Sequence, residues 1–339
     1  MLSLGGGLPA AELFPRAALG RAFTAALRRA STLQYGWPEG SPGLRAWIAA
    51  RLRARGADVS ADEVIITNGA QQALAIVIEV LVPHGGAVEV DAETYPAALD
   101  LLRQREASAV TTSGSCIYVM PGVSNPRGHG LSKERRASLL ERGVPIVADE
   151  AYAELRFDGV LERPLLADAR DRTWHVGTFS KTLCPGLRVG LLVPPRARCA
   201  EALRVKHASD LQAGSLAQAV LEELLARDDF DRRLARARAF YEARAHALVR
   251  VLRRRMPFLR LREPEGGFSV FAETDERADE TALLGVATEH GVSFDPGRLF
   301  RAETEGAPLS MRLCFSSNGP RALDEAVARL HRAWLSRRR

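Results

Sequence analysis

The chain alternates short apolar runs with stretches of helical spacing, and this alternation restricts its fold more than any other feature. Val64-Ile65-Ile66, Ala87-Val88-Glu89-Val90, Ile117-Tyr118-Val119-Met120, Pro145-Ile146-Val147-Ala148, Thr173-Trp174-His175-Val176 and Val189-Gly190-Leu191-Leu192-Val193 are bounded by Gly, Pro or Asp. Apolar residues at consecutive positions, in runs too short for free-standing helices, mean strands buried on both faces. Residues 46–55 and 70–81, lying between such runs, carry helical spacing. The expected fold class is therefore α/β: a largely parallel sheet sandwiched by helices, with a smaller α+β domain. Past residue 195 the pattern changes to long Arg/Ala/Leu helices over 196–255. Strand-like Gly266–Phe271 and Ser310–Phe315 follow, then a closing helix over 320–335. A length of 339 residues exceeds one minimal domain. The expected division is a large α/β domain at 35–225 and a small α+β domain of 1–34 plus 226–339.

The net charge of +6 raises the question of a nucleic-acid partner, but the distribution of charge argues against one. Of the 47 basic residues only Lys133, Lys181 and Lys206 are lysines, and many arginines stand beside acids, as in Glu134-Arg135-Arg136 and Glu141-Arg142. That is the pattern of a solvated surface; Arg337-Arg338-Arg339 reads as a frayed tail. No window reaches the ~18 apolar residues of a membrane span, and Met1–Gly7 lacks the basic and apolar regions of a signal peptide. Neither membrane nor nucleic acid is expected as a partner, and the expected location is cytoplasmic. Cys116, Cys184, Cys199 and Cys314 show no CxxC pair and no zinc-type His spacing, so reduced thiols and no metal site are expected.

The segments that carry chemistry follow the strands. Gly177-Thr178-Phe179-Ser180-Lys181-Thr182-Leu183-Cys184-Pro185-Gly186-Leu187-Arg188 joins two predicted strands and sets Lys181 among hydroxyls with a cation seven residues on. An isolated lysine is ordinarily a surface residue. In an apolar turn beside a fixed cation, its ammonium form is disfavoured and the amine becomes a nucleophile. Thr67-Asn68-Gly69-Ala70-Gln71 leads from a strand into a helix, whose free N–H groups and dipole suit a phosphate. The chain has neither GxGxxG nor GxxxxGK[ST] here, so dinucleotide and P-loop readings lack their fingerprints. Asp149 ends a predicted buried strand and needs a cation opposite it to stay ionised; Tyr152 follows three residues later. Asn125, before Pro126, ends another strand; on its own it is an Asn-Pro turn. A lysine for an aldehyde, an acid for a ring nitrogen, an amide and a phenol for a ring oxygen, and a helix start with Ser, Thr and Arg for a phosphate together specify pyridoxal phosphate.

With these motifs the chain resembles the fold-type I, aspartate-aminotransferase-like, class I/II aminotransferases. Within them it is most similar to the 2-aminoadipate/kynurenine aminotransferase group and to the aminotransferase domain of MocR-type regulators. The resemblance runs from Ser3-Leu4-Gly5-Gly6-Gly7-Leu8-Pro9 through Tyr35-Gly36-Trp37-Pro38-Glu39-Gly40 to Pro264-Glu265-Gly266-Gly267, Gly291-Val292 with Pro296-Gly297, and Arg312. It implies that Lys181 is the Schiff-base lysine, that Asp149 pairs with the pyridinium nitrogen, and that Asn125 and Tyr152 bind the ring oxygen. Tyr95 would stack on the ring. Gly69, Ala70, Gln71, Thr178, Ser180 and Arg188 would hold the phosphate, joined by Tyr35 from the partner subunit of a homodimer with shared active sites. Arg312 would clamp the substrate carboxylate, with Gly6 and Asn125 also touching substrate. The implied reaction moves an amino group between an L-amino acid and a 2-oxo acid; the alternative on the same scaffold is a lyase, decarboxylase or cyclase. A ligand-sensing module with a vestigial site is a further alternative, against which the intact Lys181, Asp149, Arg188 and Arg312 set argues.

The sequence departs from that pattern in places. The stretch between Tyr95 and Cys116 is short by about one strand-helix unit, Ala70 stands where Ser is common, and Arg127 stands where a small residue is usual. Arg127 is expected to face solvent, the alternative being an extra cation near the substrate mouth.

Overall fold

The computed structural model describes residues 1–337. The strands in chain order are β1 (Leu2–Leu4), β2 (Ile65–Thr67), β3 (Ala87–Val90), β4 (Ser108–Val110), β5 (Cys116–Val119), β6 (Ile146–Asp149), β7 (Thr173–Thr178), β8 (Gly190–Val193), β9 (Arg260–Leu261), β10 (Ser269–Glu273), β11 (Val292–Pro296) and β12 (Ser310–Cys314). The helices are α1 (Arg16–Leu27), α2 (Pro42–Ala54), α3 (Ala70–Leu81), α4 (Pro96–Gln104), α5 (Lys133–Glu141), α6 (Leu165–Asp168), α7 (Cys199–Asp210), α8 (Ser215–Arg227), α9 (Phe230–Arg255), α10 (Glu280–Glu289) and α11 (Pro320–Ser336). None of the described helices is long and apolar enough to cross a membrane.

The larger sheet has the order β2-β8-β7-β6-β5-β3-β4 and is parallel except at β8, which runs antiparallel to both neighbours. Its consecutive apolar residues are covered on both faces, as the sequence pattern requires. On one face Ile117, Val119, Ile146 and Ala148 pack with Leu139 of α5 and Leu165 of α6. On the other, Tyr118, Val147, Trp174 and Val176 join the main core with Ala73, Leu74 and Val77 of α3.

Strand register decides where the motifs meet. Thr67 and Thr178 both pair with Gly190, so the start of α3 and the turn after β7 are brought together across β8. Val119 pairs with Ala148, and Asp149 with Val176, so the loops leaving β5, β6 and β7 emerge at the same edge. Binding sites of open α/β sheets lie at this carboxyl edge.

The smaller sheet has the order β1-β11-β12-β10-β9. Its first strand comes from the chain's start: Leu2 pairs with Val292 and Leu4 with Phe294, which anchors the Gly5–Gly7 strip against β11. Asp295 pairs with Arg312 across β11 and β12, and Phe271 of β10 flanks Arg312 on the other side.

Two expectations require correction. The stretch after Tyr95 contains both a helix, α4, and an edge strand, β4, so no strand is missing; residues 111–115 link β4 to β5. That link passes so close to β3 that a Cβ on Gly114 would lie 2.2 Å from the backbone nitrogen of Glu89. Nor does the basic run at the end of the chain begin as a bare tail. Arg337 pairs with Glu276 at 2.6 Å and stacks on Trp334, while Arg338 and Arg339 lie outside the described residues.

Candidate active site

The site begins as a cup for an anion. Gly69, at φ 82°, caps α3 without a side-chain acceptor, which leaves the first N–H groups of that helix facing outward. A Cβ on Gly69 would come within 2.7 Å of Arg188 Nη2, and one on Gly190 within 2.5 Å of Gly69, so only glycine allows these backbones so close. Arg188 holds a left-handed backbone (φ 53°), uncommon for a residue with a Cβ. Its guanidinium reaches Ser180 Oγ at 3.5 Å and the Asn68 carbonyl at 3.4 Å. Thr178 Oγ1 lies 3.0 Å from Ser180 Oγ and accepts from the Ser180 N–H at 3.1 Å. No carboxylate pairs with Arg188 among the described residues, so the cup gathers donors and a positive charge that none of them neutralises. Ala70 contributes backbone only, as its side chain dictates; Gln71 donates through Nε2 to the Ala97 carbonyl at 3.4 Å.

Beside the cup, Lys181 Nζ lies 3.4 Å from the Gly7 carbonyl, 5.2 Å from the centre of the Tyr152 ring and 5.9 Å from that of Phe268. It has no carboxylate partner among the described residues. The other lysines are committed or remote: Lys206 is fully buried against Asp210 at 2.8 Å, and Lys133 is exposed at the start of α5.

Asp149 is 2% exposed and, among the described residues, has no cationic partner in hydrogen-bonding contact. Its carboxylate accepts from Tyr118 Oη at 2.8 Å and the Ala151 N–H at 3.0 Å. Burial pushes this carboxyl up, opposed by those two hydrogen bonds and by the charge of Lys181. Burial, with Asp149 nearby, likewise pushes up the phenol of Tyr95, which opens α4. Tyr152 is buried edge-on to Phe268, with ring centres 5.2 Å apart.

Arg312 forms the far wall. Its Nη1 donates to Asn125 Oδ1 at 2.8 Å, while Nε and Nη2 donate to Asp295 Oδ2 at 3.0 and 2.7 Å. Gly6 also spends its N–H on Asp295, at 3.0 Å to Oδ2. The structure thus brings Gly6, Gly69, Ala70, Gln71, Asn125, Asp149, Tyr152, Thr178, Ser180, Lys181, Arg188 and Arg312 to one edge of the larger sheet. Tyr35 is not among them. It is 77% exposed and borders a separate surface recess with Trp37, Ser215 and Glu222.

Arg127 does not simply face solvent. It is half-buried over the Phe271 ring, pairs with Glu93 at 2.8 Å and Glu273 at 3.4 Å, and shares both acids with Arg301. Tyr118 and Asp295 are the site-facing residues that sequence reasoning missed. Tyr118 was legible only as a strand residue, and Asp295 lies just before the Pro296-Gly297 motif, whose register with Arg312 is not visible in one dimension.

The residues present fit pyridoxal phosphate. The cup supplies donors for a phosphate dianion that no carboxylate among the described residues neutralises, and Asp149 is a buried carboxyl with no ion-pair partner among them. Lys181 is an amine with no carboxylate partner among them, 3.4 Å from the Gly7 carbonyl.

Comparison with known proteins agrees. The family model "Aminotransferase class I and II" matches residues 112–330, which include Asn125, Asp149, Lys181, Arg188 and Arg312. A 2-aminoadipate transaminase of Thermus thermophilus is 32% identical, over 98% of this chain and 90% of that protein. Aromatic-amino-acid aminotransferase 1 of Thermococcus litoralis is 30% identical, over 97% and 87%. The crystal structure of LysN, an alpha-aminoadipate aminotransferase from Thermus thermophilus complexed with N-(5'-phosphopyridoxyl)-L-leucine, aligns with a TM-score of 0.92 at 32% identity, covering 99% of this chain and 92% of that one. With the family model spanning well over half the chain and relatives alike along nearly all of it, the chain belongs to the class I and II aminotransferases.

Proposed function

We propose that this aminotransferase uses pyridoxal phosphate to move an amino group between an L-amino acid and a 2-oxo acid, each part of the cofactor falling to a separate set of side chains. The first N–H groups of α3 at Gly69, Ala70 and Gln71, with Thr178, Ser180 and Arg188, bind the phosphate. Asp149 would hold the ring nitrogen in its protonated form; Tyr118 and the Ala151 N–H hold Asp149 in place. Asn125 and Tyr152 would hold the ring oxygen, and Tyr95 would lie against the ring. When bound, the cofactor supplies the electron sink that makes loss of the Cα proton feasible. Lys181 would hold the cofactor's aldehyde, and its amine is the base that would take and give back the Cα proton. Arg312 receives the substrate carboxylate on its free Nη1 and Nη2 hydrogens, and Asn125 and Gly6 border the same seat. The observation that carries this reading is the Lys181 amine, without a carboxylate partner among the described residues and 3.4 Å from the carbonyl of Gly7, the residue that also lies against Arg312.

The test is a panel of amino acids, including 2-aminoadipate and aromatic amino acids, incubated with 2-oxoglutarate. Glutamate should form, and ammonia or carbon dioxide release in its place would refute the transfer reading. Arg312→Gln should raise KM for the best amino acid by about a hundredfold, the loss of one charge-assisted bidentate contact. An unchanged KM would remove Arg312 from the seat.

The division into domains at 35–225 and at 1–34 plus 226–339 belongs to the same reading, as does a homodimer in which Tyr35 completes the partner's phosphate cup. Leu33, Tyr35 and Trp37 are 67%, 77% and 66% exposed, an apolar stretch that a second copy would cover. Light scattering should report the mass of two chains; full activity from a single chain would refute the shared site. Free cysteines accord with the cytoplasmic location that the reading includes.

A further inference from the structure

The Arg312 guanidinium is buried and closely packed. Cζ lies 4.6 Å from the centre of the Phe300 ring, and a Cβ at Gly7 would lie 3.3 Å from Nη1. Asp295 Oδ2 takes the Nε–Nη2 edge and Asn125 Oδ1 takes one hydrogen of Nη1. Of the five N–H bonds of an arginine, this leaves one on each Nη. Asp295 stands at that edge because the register of β11 against β12 places it directly opposite Arg312. The same carboxylate accepts from the Gly6 N–H, and a Cβ on Gly5 would approach Oδ1 to 2.8 Å, so the strip over the site is fitted to it. Arg312 is the only cation paired with Asp295 among the described residues.

This pairing changes what the seat demands of a substrate. A buried guanidinium without an internal counterion is left uncompensated whenever the bound molecule lacks a carboxylate, and that penalty excludes such molecules. Here the guanidinium is already neutralised. A substrate carboxylate arriving at those hydrogens meets a cation shared with a second anion, and binds more weakly than it would to a free arginine. A substrate without a carboxylate leaves no charge unpaired.

Resting on the reading of Arg312 as the carboxylate seat, we propose that Asp295 is a specificity-determining residue that admits primary amines lacking a carboxylate as amino donors alongside amino acids. The reaction balances without a further reactant. The amine carbon is oxidised to an aldehyde, its nitrogen passes to the 2-oxo acid, and the oxo carbon is reduced to the amino-acid carbon.

The test compares the best amino-acid donor from the panel with the amine its decarboxylation would give, each against 2-oxoglutarate. It uses the cofactor-loaded wild-type protein, Asp295→Asn and Asp295→Ser. The wild-type protein should convert the amine to aldehyde with stoichiometric glutamate. In Asp295→Asn, which keeps the shape and removes the charge, KM for the amino acid should fall about fivefold while kcat/KM for the amine falls, shifting the preference toward the carboxylate by about tenfold or more. Asp295→Ser should shift the preference the same way. A purely structural role would change both donors alike. Absence of aldehyde from the wild-type protein, or a preference that moves less than about twofold or toward the amine in both variants, overturns the proposal. If Arg312→Gln leaves amino-acid KM unchanged, the seat itself is misassigned; if that variant loses the amino acid but the Asp295 variants leave the preference unmoved, only the role of Asp295 fails.

Discussion

Lys181→Ala should lower transamination by about ten-thousandfold or more while leaving the fold and much of the cofactor affinity intact. The size of the loss follows from the scarcity of substitutes. Lys206 is sealed in the core against Asp210, and Lys133 is exposed on α5. No second amine can take over the covalent link or carry the Cα proton. The anion cup, built from the α3 start, Thr178, Ser180 and Arg188, does not include the Lys181 amine and should still hold the phosphate. The variant is therefore expected to bind cofactor on equilibrium dialysis yet lack the visible absorbance of the lysine-linked form. A Lys181→Ala protein that retained transamination would show that another group does the chemistry.

Asp149→Asn should cost about a thousandfold in turnover, because a neutral amide cannot hold a ring nitrogen protonated in a buried site. This prediction has a pH signature. Burial raises the native pKa of Asp149 above its ordinary value, so between those two values the folded protein holds a proton that the unfolded chain has released. Stability of the cofactor-free protein should therefore fall as pH rises through that window and level off above it. An amide in place of the carboxyl does not titrate, so the Asp149→Asn protein should lack this component. A cation placed opposite Asp149 reverses the penalty, so cofactor loading should raise Tm more in the wild-type protein than in Asp149→Asn at neutral pH. Equal Tm gains in the two proteins would mean that Asp149 does not face the ring nitrogen.

Much of this site was legible because its residues lie in short motifs tied to strand ends. Strand β3 and helix α3 fall where periodicity placed them, at 87–90 and 70–81. Strands β2 and β5 are displaced by a single residue, since the pattern marks burial and not the last hydrogen bond. Strand β1 escaped because three residues next to a glycine run carry no periodicity, and its partner β11 is some 290 positions away in the chain. Helices α4 and α5 were missed for a different reason. Each is nine residues long, and α5, with Lys-Glu-Arg-Arg at its start, buries only Leu139. The pairing of Arg127 could not be read from the sequence, because its partners Glu93 and Glu273 come from distant segments that only the fold brings together.

By itself the sequence determined the α/β architecture, the anion cup, the amine and the buried acid, because each is written in contiguous residues whose chemistry depends on local backbone conformation. Tertiary structure alone decided which groups oppose one another: that Tyr118 steadies Asp149, that Tyr35 lies away from its own chain's site, and that Asp295 shares the guanidinium of Arg312. Strand register sets those pairings, and register is fixed by packing across whole sheets, a property of no single stretch of chain.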